Sequence, residues 1–173
     1  VTTTGEGARG FNVRGGKVDN NLMLLDGIPI YNSSHLFGFF SAFNPDLIED
    51  ATLYRGGIPA SMGGRLASVL AITTGKPDDG KHTLSANIGT IASRGVLKGP
   101  ITKSSYYVLG ARKSYVNYLM NSINRDVLKN SSADFYDLNA RVGFSINDKF
   151  QMDISGFRTS DGFMFSFKEG YYW

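Results

Sequence analysis

The sequence feature that most constrains this chain is the alternation of apolar and polar residues over positions 136–147. The even positions are all apolar or aromatic, and the odd positions are Asp, Asn, Arg, Gly, Ser and Asn. Such alternation places the two sets on opposite faces of a β-strand, and the length suits a tilted strand that crosses a membrane in roughly 9–11 residues. A soluble sandwich also alternates, but Arg141 lies on the polar face, where a channel lumen accepts a charge. We therefore expect one face of this strand toward lipid and the other toward the lumen, with Leu138, Val142 and Phe144 on the first and Asn139, Arg141 and Ser145 on the second.

The alternation recurs along residues 82–173. Five strands are predicted, at 83–90, 94–101, 106–118 and 136–147, with the last beginning at Phe150. Short turns at 102–105 and 147–149 and a long polar loop at 121–134 join them, a pattern typical of outer-membrane barrels. Single-chain barrels have roughly 8 or more strands, and open edges in lipid leave backbone groups without partners. We therefore expect about five antiparallel transmembrane strands of a larger barrel, completed by more of the chain or by a partner.

Residues 1–78 differ, because their apolar residues form short unbroken clusters separated by glycines. Asp26-Gly27 between two apolar runs predicts a β-hairpin. Asn44-Pro45-Asp46 predicts a short helix, since Asn caps, Pro suits the first turn and Asp favours the amide-rich end. Strands are predicted around 52–54 and 68–73. The chain is thus predicted to contain three parts: a mixed α/β domain at 1–78, a linker at 79–81 and an all-β domain at 82–173.

The composition narrows the classes of function. The chain has no Cys, which excludes internal disulfides, thiolate metal sites and a cysteine nucleophile. Its net charge of +3 is small and scattered, so it gives no argument for nucleic-acid binding. No apolar run approaches the ~18 residues of a transmembrane helix. The chain lacks an initiating Met and a signal peptide, so we interpret it as a segment of a longer protein.

Four segments, taken in order, carry a family resemblance. They lie at residues 10–16 with Arg14-Gly15-Gly16, at 20–31 with Leu25-Asp26-Gly27, at 54–57 with Arg55-Gly56-Gly57, and at 63–70 after Gly63-Gly64. In this order they resemble the later part of the plug domain of a TonB-dependent outer-membrane receptor, followed by the first strands of its β-barrel. The lysine-aspartate-alanine-serine block of the glycan-importing SusC-like subgroup is absent between Tyr54 and Gly64. We therefore expect a member outside that subgroup.

This resemblance implies a transporter and receptor in the cell outer membrane of a Gram-negative bacterium. Such a protein holds its plug inside a barrel of about 22 strands, binds a ligand on the outer side and imports it without catalysis. The implied partners are the TonB-ExbB-ExbD energising complex, outer-membrane lipid, the barrel assembly machinery during biogenesis and a small ligand of unknown identity. No cofactor, metal or nucleic acid is expected.

The resemblance also implies roles for individual residues. Arg14 and Arg55 match plug arginines that pair with barrel carboxylates and lock the plug in place, and those carboxylates are expected beyond Trp173. Ligand contact is expected on the extracellular side of the plug, through Asn32, Ser33, Ser34, His35, Phe37, Phe39 and Phe40. The aromatic residues of this segment remain open to two interpretations, plug core or ligand contact. The paired glycines of the four segments are expected to serve backbone geometry, through positive φ or close contact.

Weaker patterns point elsewhere. Residues 5–10 spell Gly-x-Gly-x-x-Gly, but the preceding strand and following helix that dinucleotide binding needs are not predicted. The two Arg-Gly-Gly triplets adjoin apolar strands rather than the low-complexity context of RNA-binding repeats. Asp134 and Asp137, like Asp78 and Asp79, are interpreted as solvated acids. His35 and His82 give no metal constellation, and each is interpreted as a polar surface histidine.

Two further functions stay open at this point. A plugged barrel can serve as a structural or accessory subunit of an outer-membrane assembly, and an incompletely folded barrel can be held by assembly machinery. A soluble β-sandwich adhesin is a third and more distant alternative, because it shares the alternation of polar and apolar residues.

Overall fold

The computed structural model describes residues 2–3, 11–78, 80–122, 131–147 and 149–164, and it is mostly β-strand. The Gly-x-Gly-x-x-Gly at 5–10 and the C-terminal residues 165–173 lie outside the described residues. Residues 11–78 are called the N-terminal part below. The described residues of this part contain seven strands, and β1 (Thr2–Thr3), which precedes it, pairs with the first of them. The seven are β2 (Phe11–Asn12), β3 (Asn21–Leu25), β4 (Ile28–Pro29), β5 (Ser34–His35), β6 (Phe40–Ser41), β7 (Ile48–Tyr54) and β8 (Ser68–Thr74).

The N-terminal part is centred on a mixed sheet with the strand order β4-β3-β8-β7. The predicted hairpin joins β3 to β4, and its turn residues Asp26 and Gly27 have φ of 49° and 82°. Positive φ at both central residues is what a two-residue turn of type I′ requires, and Asp-Gly adopts it readily. β3 also pairs in parallel with β8, so the sheet brings residues 21–25 beside residues 68–72. The hairpin prediction is confirmed.

The helical content of this part is lower than an α/β domain implies. Within the described residues of 1–78, helix is limited to three 3-10 segments, Val18–Asn20, Leu36–Gly38 and Pro45–Leu47. The predicted helix start at Asn44 is present, because the Asn44 side chain accepts a hydrogen bond from the Asp46 amide at 3.1 Å. The helix then ends after one turn, since the Leu47 carbonyl accepts from the Gly75 amide at 2.8 Å and β7 begins at Ile48.

Five strands among the described residues from 83 to 164 form an antiparallel sheet with the order β13-β12-β11-β10-β9, called the five-stranded sheet below. Its strands are β9 (Thr83–Ile88), β10 (Ala92–Thr102), β11 (Ser105–Ser114), β12 (Ser132–Asn147) and β13 (Phe150–Met164). The third strand was predicted to reach Tyr118 but ends at Ser114. The Tyr115 amide donates to the Ile91 carbonyl at 2.9 Å, and the chain then forms the helix α1 (Val116–Ser122) in what was predicted to be strand and loop.

The two faces of the five-stranded sheet are chemically distinct, as the alternation predicts. One face packs against the N-terminal part and carries Val96, Val108, Arg112, Phe135, Asp137 and Arg141, all of which are buried. The opposite face is exposed and apolar, with Leu84, Ile88, Leu97, Leu109, Leu138, Phe144, Met152 and Ile154. Leu138 and Phe144 are therefore on the outward face and Arg141 on the inward face, as expected. The register of β12 against β11 and β13 carries this division across the sheet.

Apolar contacts join the sheets in three clusters. One contains Leu25, Phe43 and Ile72, and Phe157 of β13 packs against it. A second joins Leu36 to Ala133 and Phe135, and a third joins Leu47 to Val96 and Val108. Each cluster combines residues from the N-terminal part and the five-stranded sheet, so the hydrophobic effect holds the two together. No helix among the described residues is long and apolar enough to cross a membrane.

The glycine pairs of the N-terminal part behave largely as predicted. Positive φ occurs at Gly15, Gly57 and Gly64. A Cβ at Gly16 would lie 2.8 Å from the Ala67 Cβ, and one at Gly56 would lie 3.0 Å from the Arg14 guanidinium. Gly63 has ordinary φ and open surroundings. Backbone geometry therefore accounts for all of these glycines except Gly63.

Candidate functional site

The candidate site is the interface where the N-terminal part meets the inward face of the five-stranded sheet. Among the described residues, ionic contacts cross it at three places: His35 with Asp137 and Asp161, Asp26 with Arg141, and Asp46 with Arg94. At each place a charged or titratable residue from a turn, a short strand or a 3-10 segment meets a charge on a long strand. The interface is therefore held by directional polar contacts as well as by the apolar clusters.

His35 is the most deeply buried of these contacts, with no exposed side-chain area. Its Nε2 lies 2.6 Å from Asp137 Oδ1 and its Nδ1 lies 3.0 Å from Asp161 Oδ2. The ring stacks on Phe135, with the centroids 4.3 Å apart. Arg112 completes the group, since it donates to Asp137 Oδ2 through Nε at 2.6 Å and to the Ser41 carbonyl through Nη2 at 2.5 Å. These residues are called the His35 cluster below.

The surroundings of His35 favour its charged form. Burial alone would lower the pKa of the imidazole, but the hydrogen bonds and negative charges of Asp137 and Asp161 outweigh it and raise the pKa above its ordinary value. A neutral imidazole donates from one nitrogen only, whereas both ring nitrogens here face carboxylate oxygens. Both carboxylates therefore favour the imidazolium over the neutral ring.

The backbone that follows His35 is strained. Leu36 and Phe37 have φ of 47° and 63°, in the left-handed region where bulky side chains are uncommon. The Leu36 amide donates to Asp161 Oδ1 at 3.1 Å, and the Phe37 ring meets the Phe163 ring edge-on at a centroid distance of 4.6 Å. Strained residues persist when their surroundings impose the conformation, and here β13 supplies both contacts.

Asp26 forms the second contact, at the tip of the β3–β4 hairpin. Its carboxylate accepts from the Thr74 amide at 2.8 Å and from the Thr74 hydroxyl at 2.6 Å. Arg141 Nη1 lies 3.2 Å from Asp26 Oδ1, and Arg141 Nε donates to Asp153 Oδ1 at 3.2 Å. Arg141 thus bridges an acid of the N-terminal part and an acid of β13. Asp153 also accepts a short hydrogen bond from the Tyr106 hydroxyl.

The third contact, between Asp46 and Arg94, lies beside an apolar contact of Leu47 with Gly110. Asp46 Oδ2 accepts from Arg94 Nε at 2.6 Å, with both side chains partly exposed. The neighbouring Leu47 inserts against β11 at Gly110, where a Cβ would come within 2.5 Å of Leu47 Cδ1. Gly110 is buried and faces inward. Leu47 can therefore occupy this position because Gly110 has no side chain.

Replacing Gly110 by Ala is expected to destabilise the interface by about 1–3 kcal/mol, because the added methyl overpacks a filled site. The free energy of unfolding of the N-terminal part, measured by urea titration, checks this. Gly156→Ala is the matched control, since a Cβ at Gly156 of β13 would meet nothing within 4 Å. Equal stabilities of the two variants would show that Leu47 does not need the gap at Gly110.

The predicted ligand residues divide into accessible and buried sets. Asn32, Phe37 and Phe39 are exposed, Ser33, Ser34 and Phe40 are half-buried, and His35 is buried.

The interpretation of His35 as a surface histidine is wrong, because two acids and an aromatic ring enclose it. The interpretation of Asp137 as a solvated acid is wrong for the same reason, since it has no exposed side-chain area. His82 is exposed, as expected, with Nδ1 3.0 Å from the Tyr107 hydroxyl.

The two arginines predicted to lock the plug lie outside this interface. Arg14 and Arg55 are both exposed, and the Arg14 guanidinium lies against Gly56. Their predicted carboxylate partners were placed beyond Trp173, so their role stays a prediction. No group of three or more His, Asp or Glu among the described residues is arranged to hold a metal ion.

Sequence reasoning missed most of the residues that make the interface. Asp26 was assigned to a turn and Asp46 to a helix start, and both assignments hold while each acid also binds a strand arginine. Arg141 was found through its place on the polar face of β12. The same rule identifies Arg112 and Asp137 as inward-facing charges, because they share that face. Nothing in the sequence pairs these charges with particular residues of the N-terminal part.

The comparison with known families bears on this geometry. Residues 1–69 match the TonB-dependent receptor plug domain. The match supports the TonB-dependent receptor family, whose members are plugged-barrel transporters and receptors of the outer membrane that work with TonB-type energising machinery. No curated protein matched the chain. The plug match ends at Val69, the second residue of β8, and it includes Asp26, His35 and Asp46 of the interface described above.

Proposed function

We propose that this chain is part of an outer-membrane TonB-dependent transporter that binds an extracellular ligand and imports it through a plugged barrel. In this proposal residues 1–78 are the later part of the plug, 79–81 a linker and 82–173 the first barrel strands. The observation that carries it is the plug match at 1–69 together with a sheet whose inward face is ion-paired to that plug and whose outward face is apolar.

The outward face supports a membrane setting for the strands. Lipid-facing residues of outer-membrane barrels form an apolar band, while residues toward the interior are polar. The exposed leucines and isoleucines of β9 to β13 supply such a band, and the charges of β11, β12 and β13 lie opposite. β9 and β13 are the two edges of the sheet. Unpaired edges are not tolerated in lipid, so further strands complete the barrel and the assembly machinery inserts it.

The ligand site proposed here is the turn between β5 and β6 with the residues before it. Its accessible members are Asn32, Ser33, Ser34, Phe37, Phe39 and Phe40, with Phe39 69% exposed. Exposed aromatic side chains offer large apolar contact area to a ligand. His35 is excluded from direct ligand contact, because the His35 cluster encloses it.

The Arg14 and Arg55 locks form a separate prediction. In the complete barrel each is expected to pair with a carboxylate of a later strand, and a charge left without its partner inside the barrel is costly. Replacing either by Ala is therefore expected to make the outer membrane leaky to large antibiotics. Arg65→Ala is the matched control, since Arg65 is exposed beside another glycine pair. If the membrane stays sealed in both variants while ligand affinity is lost, Arg14 and Arg55 contact the ligand and do not lock the plug.

Nutrient uptake tests the proposed function. Cells lacking the complete gene are compared with wild type for uptake of a panel of labelled nutrients, and at least one uptake is expected to disappear. The same uptake is expected to disappear in cells that keep the gene but lack TonB. Rapid uptake that persists without TonB would refute the proposal. Loss of an outer-membrane assembly with all uptake intact would favour a structural or accessory subunit.

A further inference from the structure

The charge balance of the His35 cluster depends on a single proton. Asp137 and Asp161 bring two negative charges to the ring from β12 and β13, and Arg112 brings one positive charge from β11. Within the part of the chain that the structure describes, these are the charged groups that face His35 from the strands packed against it. A protonated His35 makes the cluster neutral, whereas a neutral His35 leaves one uncompensated negative charge in a buried place, which is unfavourable.

The hydrogen bonds require the same proton. If His35 is neutral, one ring nitrogen directs a lone pair at a carboxylate oxygen, either Asp137 Oδ1 at 2.6 Å or Asp161 Oδ2 at 3.0 Å. That contact then becomes repulsive. Thr159 Oγ1 lies 3.5 Å from Nε2, at the limit of a hydrogen bond, so its hydroxyl is a poor replacement for the lost contact.

The turn that follows depends on these contacts. Asp161 binds both the His35 ring and the Leu36 amide, and it therefore helps to hold Leu36 and Phe37 in left-handed conformations. A strained conformation relaxes once the contacts that impose it are lost. Loss of the His35 bond to Asp161 would thus weaken the attachment of the whole turn to β13.

We infer that His35, held between Asp137 and Asp161, is a proton-dependent latch that fixes the turn of residues 34–41 to strands β12 and β13. The latch is closed when the imidazole is protonated and loosens when it is not. This goes beyond transport, because it describes how firmly the proposed ligand-facing turn is held at a given pH. Its test needs no ligand and no uptake.

The direction of the pH effect follows from linkage. The pKa of His35 is raised in the folded state, so the latch contributes its full stability below the free-histidine pKa of about 6.5. That stability is lost as the pH rises from there through the folded pKa. The opening equilibrium of the turn is expected to rise by up to about tenfold per pH unit within this window and to level off above it.

Cysteine labelling measures this opening in the protein encoded by the complete gene, in outer-membrane vesicles. Ala42→Cys places the thiol at a fully buried position directly after the turn of residues 34–41, and Phe39→Cys places it at an exposed position within that turn. The ratio of the two maleimide labelling rates reports opening, because the pH dependence of the thiol chemistry cancels. The ratio is expected to be low at pH 5.5 and to rise toward pH 9.

Substitutions test whether the proton on His35 controls the opening of the turn. His35→Gln cannot carry the charge, so its ratio is expected to be roughly tenfold or more above wild type at pH 5.5 and independent of pH. His82→Gln is the matched control at the exposed histidine and is expected to keep the wild-type profile. Asp161→Asn removes one of the two charges that favour the proton in the closed turn, so its profile is expected to start from a higher ratio at pH 5.5 and to level off at lower pH than wild type. It keeps the test informative if His35→Gln fails to reach the membrane.

Two results would overturn the latch. One is a wild-type ratio that stays flat from pH 5.5 to pH 9. The other is an Asp161→Asn profile that coincides with wild type, because the acid then has no part in holding the proton.

Discussion

Replacing Asp137 by Asn is expected to destabilise the packing of the plug on the strands by about 3–5 kcal/mol at pH 6, the range seen when one partner of a buried ion pair is removed. Asp137 has no exposed side-chain area and holds two cations, His35 through Oδ1 and Arg112 through Oδ2. Asn is nearly isosteric but uncharged. The substitution therefore leaves two positive charges, on Arg112 and His35, close to each other, and only the Asp161 carboxylate remains to compensate them.

Urea titration of the complete protein in phospholipid vesicles measures this effect, with a fluorophore on Phe39→Cys to report unfolding of the plug. Asp134→Asn is the matched control, because Asp134 is on the same strand and pairs with Lys113 near the surface. An exposed pair of this kind contributes at most about 1 kcal/mol. If the two variants lose the same stability, the His35 cluster does not hold the plug.

Replacing Val142 by Arg is expected to destabilise the protein by about 2–4 kcal/mol if the position lies near the middle of the bilayer. Val142 pairs with Tyr107 and Ile154 and shares its face with the exposed Leu138 and Phe144. The proposal places that face against lipid, where a guanidinium loses its hydration. Urea-induced unfolding in vesicles, followed by the difference in electrophoretic mobility between the folded and the unfolded protein, measures the change.

The cost is expected to depend on depth. Ile146→Arg at the end of β12 is the matched control, because Ile146 is exposed next to a turn and charges near the membrane interface cost only about 0–1 kcal/mol. Arg141→Leu is expected to be costly for a different reason, since it leaves Asp26 and Asp153 without their shared cation. Tolerance of Val142→Arg together with intolerance of Arg141→Leu would show that the outward face is not in lipid.

The sequence reasoning succeeded where the signal is local. Alternation over 136–147 placed Arg141 inward and Leu138 outward, because a strand turns successive side chains to opposite faces wherever it lies. Asp26-Gly27 marked a hairpin, since few other residue pairs adopt positive φ twice in succession. The reasoning failed at Tyr115 to Tyr118, where the strand has ended at Ser114 and the helix α1 begins at Val116. Val116 and Met120 of this helix pack against the cluster of Leu36, Ala133 and Phe135, and local periodicity carries no information about such distant contacts.

What the sequence determined by itself is therefore the existence and facing of the long strands, the hairpin at Asp26-Gly27 and the resemblance of the first part to a plug. What only the tertiary structure decided is which inward charge meets which plug residue. His35 and Asp137 are 102 residues apart in the chain, and Asp26 and Arg141 are 115 apart. Such pairs depend on how two sheets are placed against each other, and that placement is fixed by the packing of Leu36 on Phe135 and of Leu47 into the gap at Gly110. A histidine that looks like a surface residue in the sequence is for that reason fully buried between two acids at the interface.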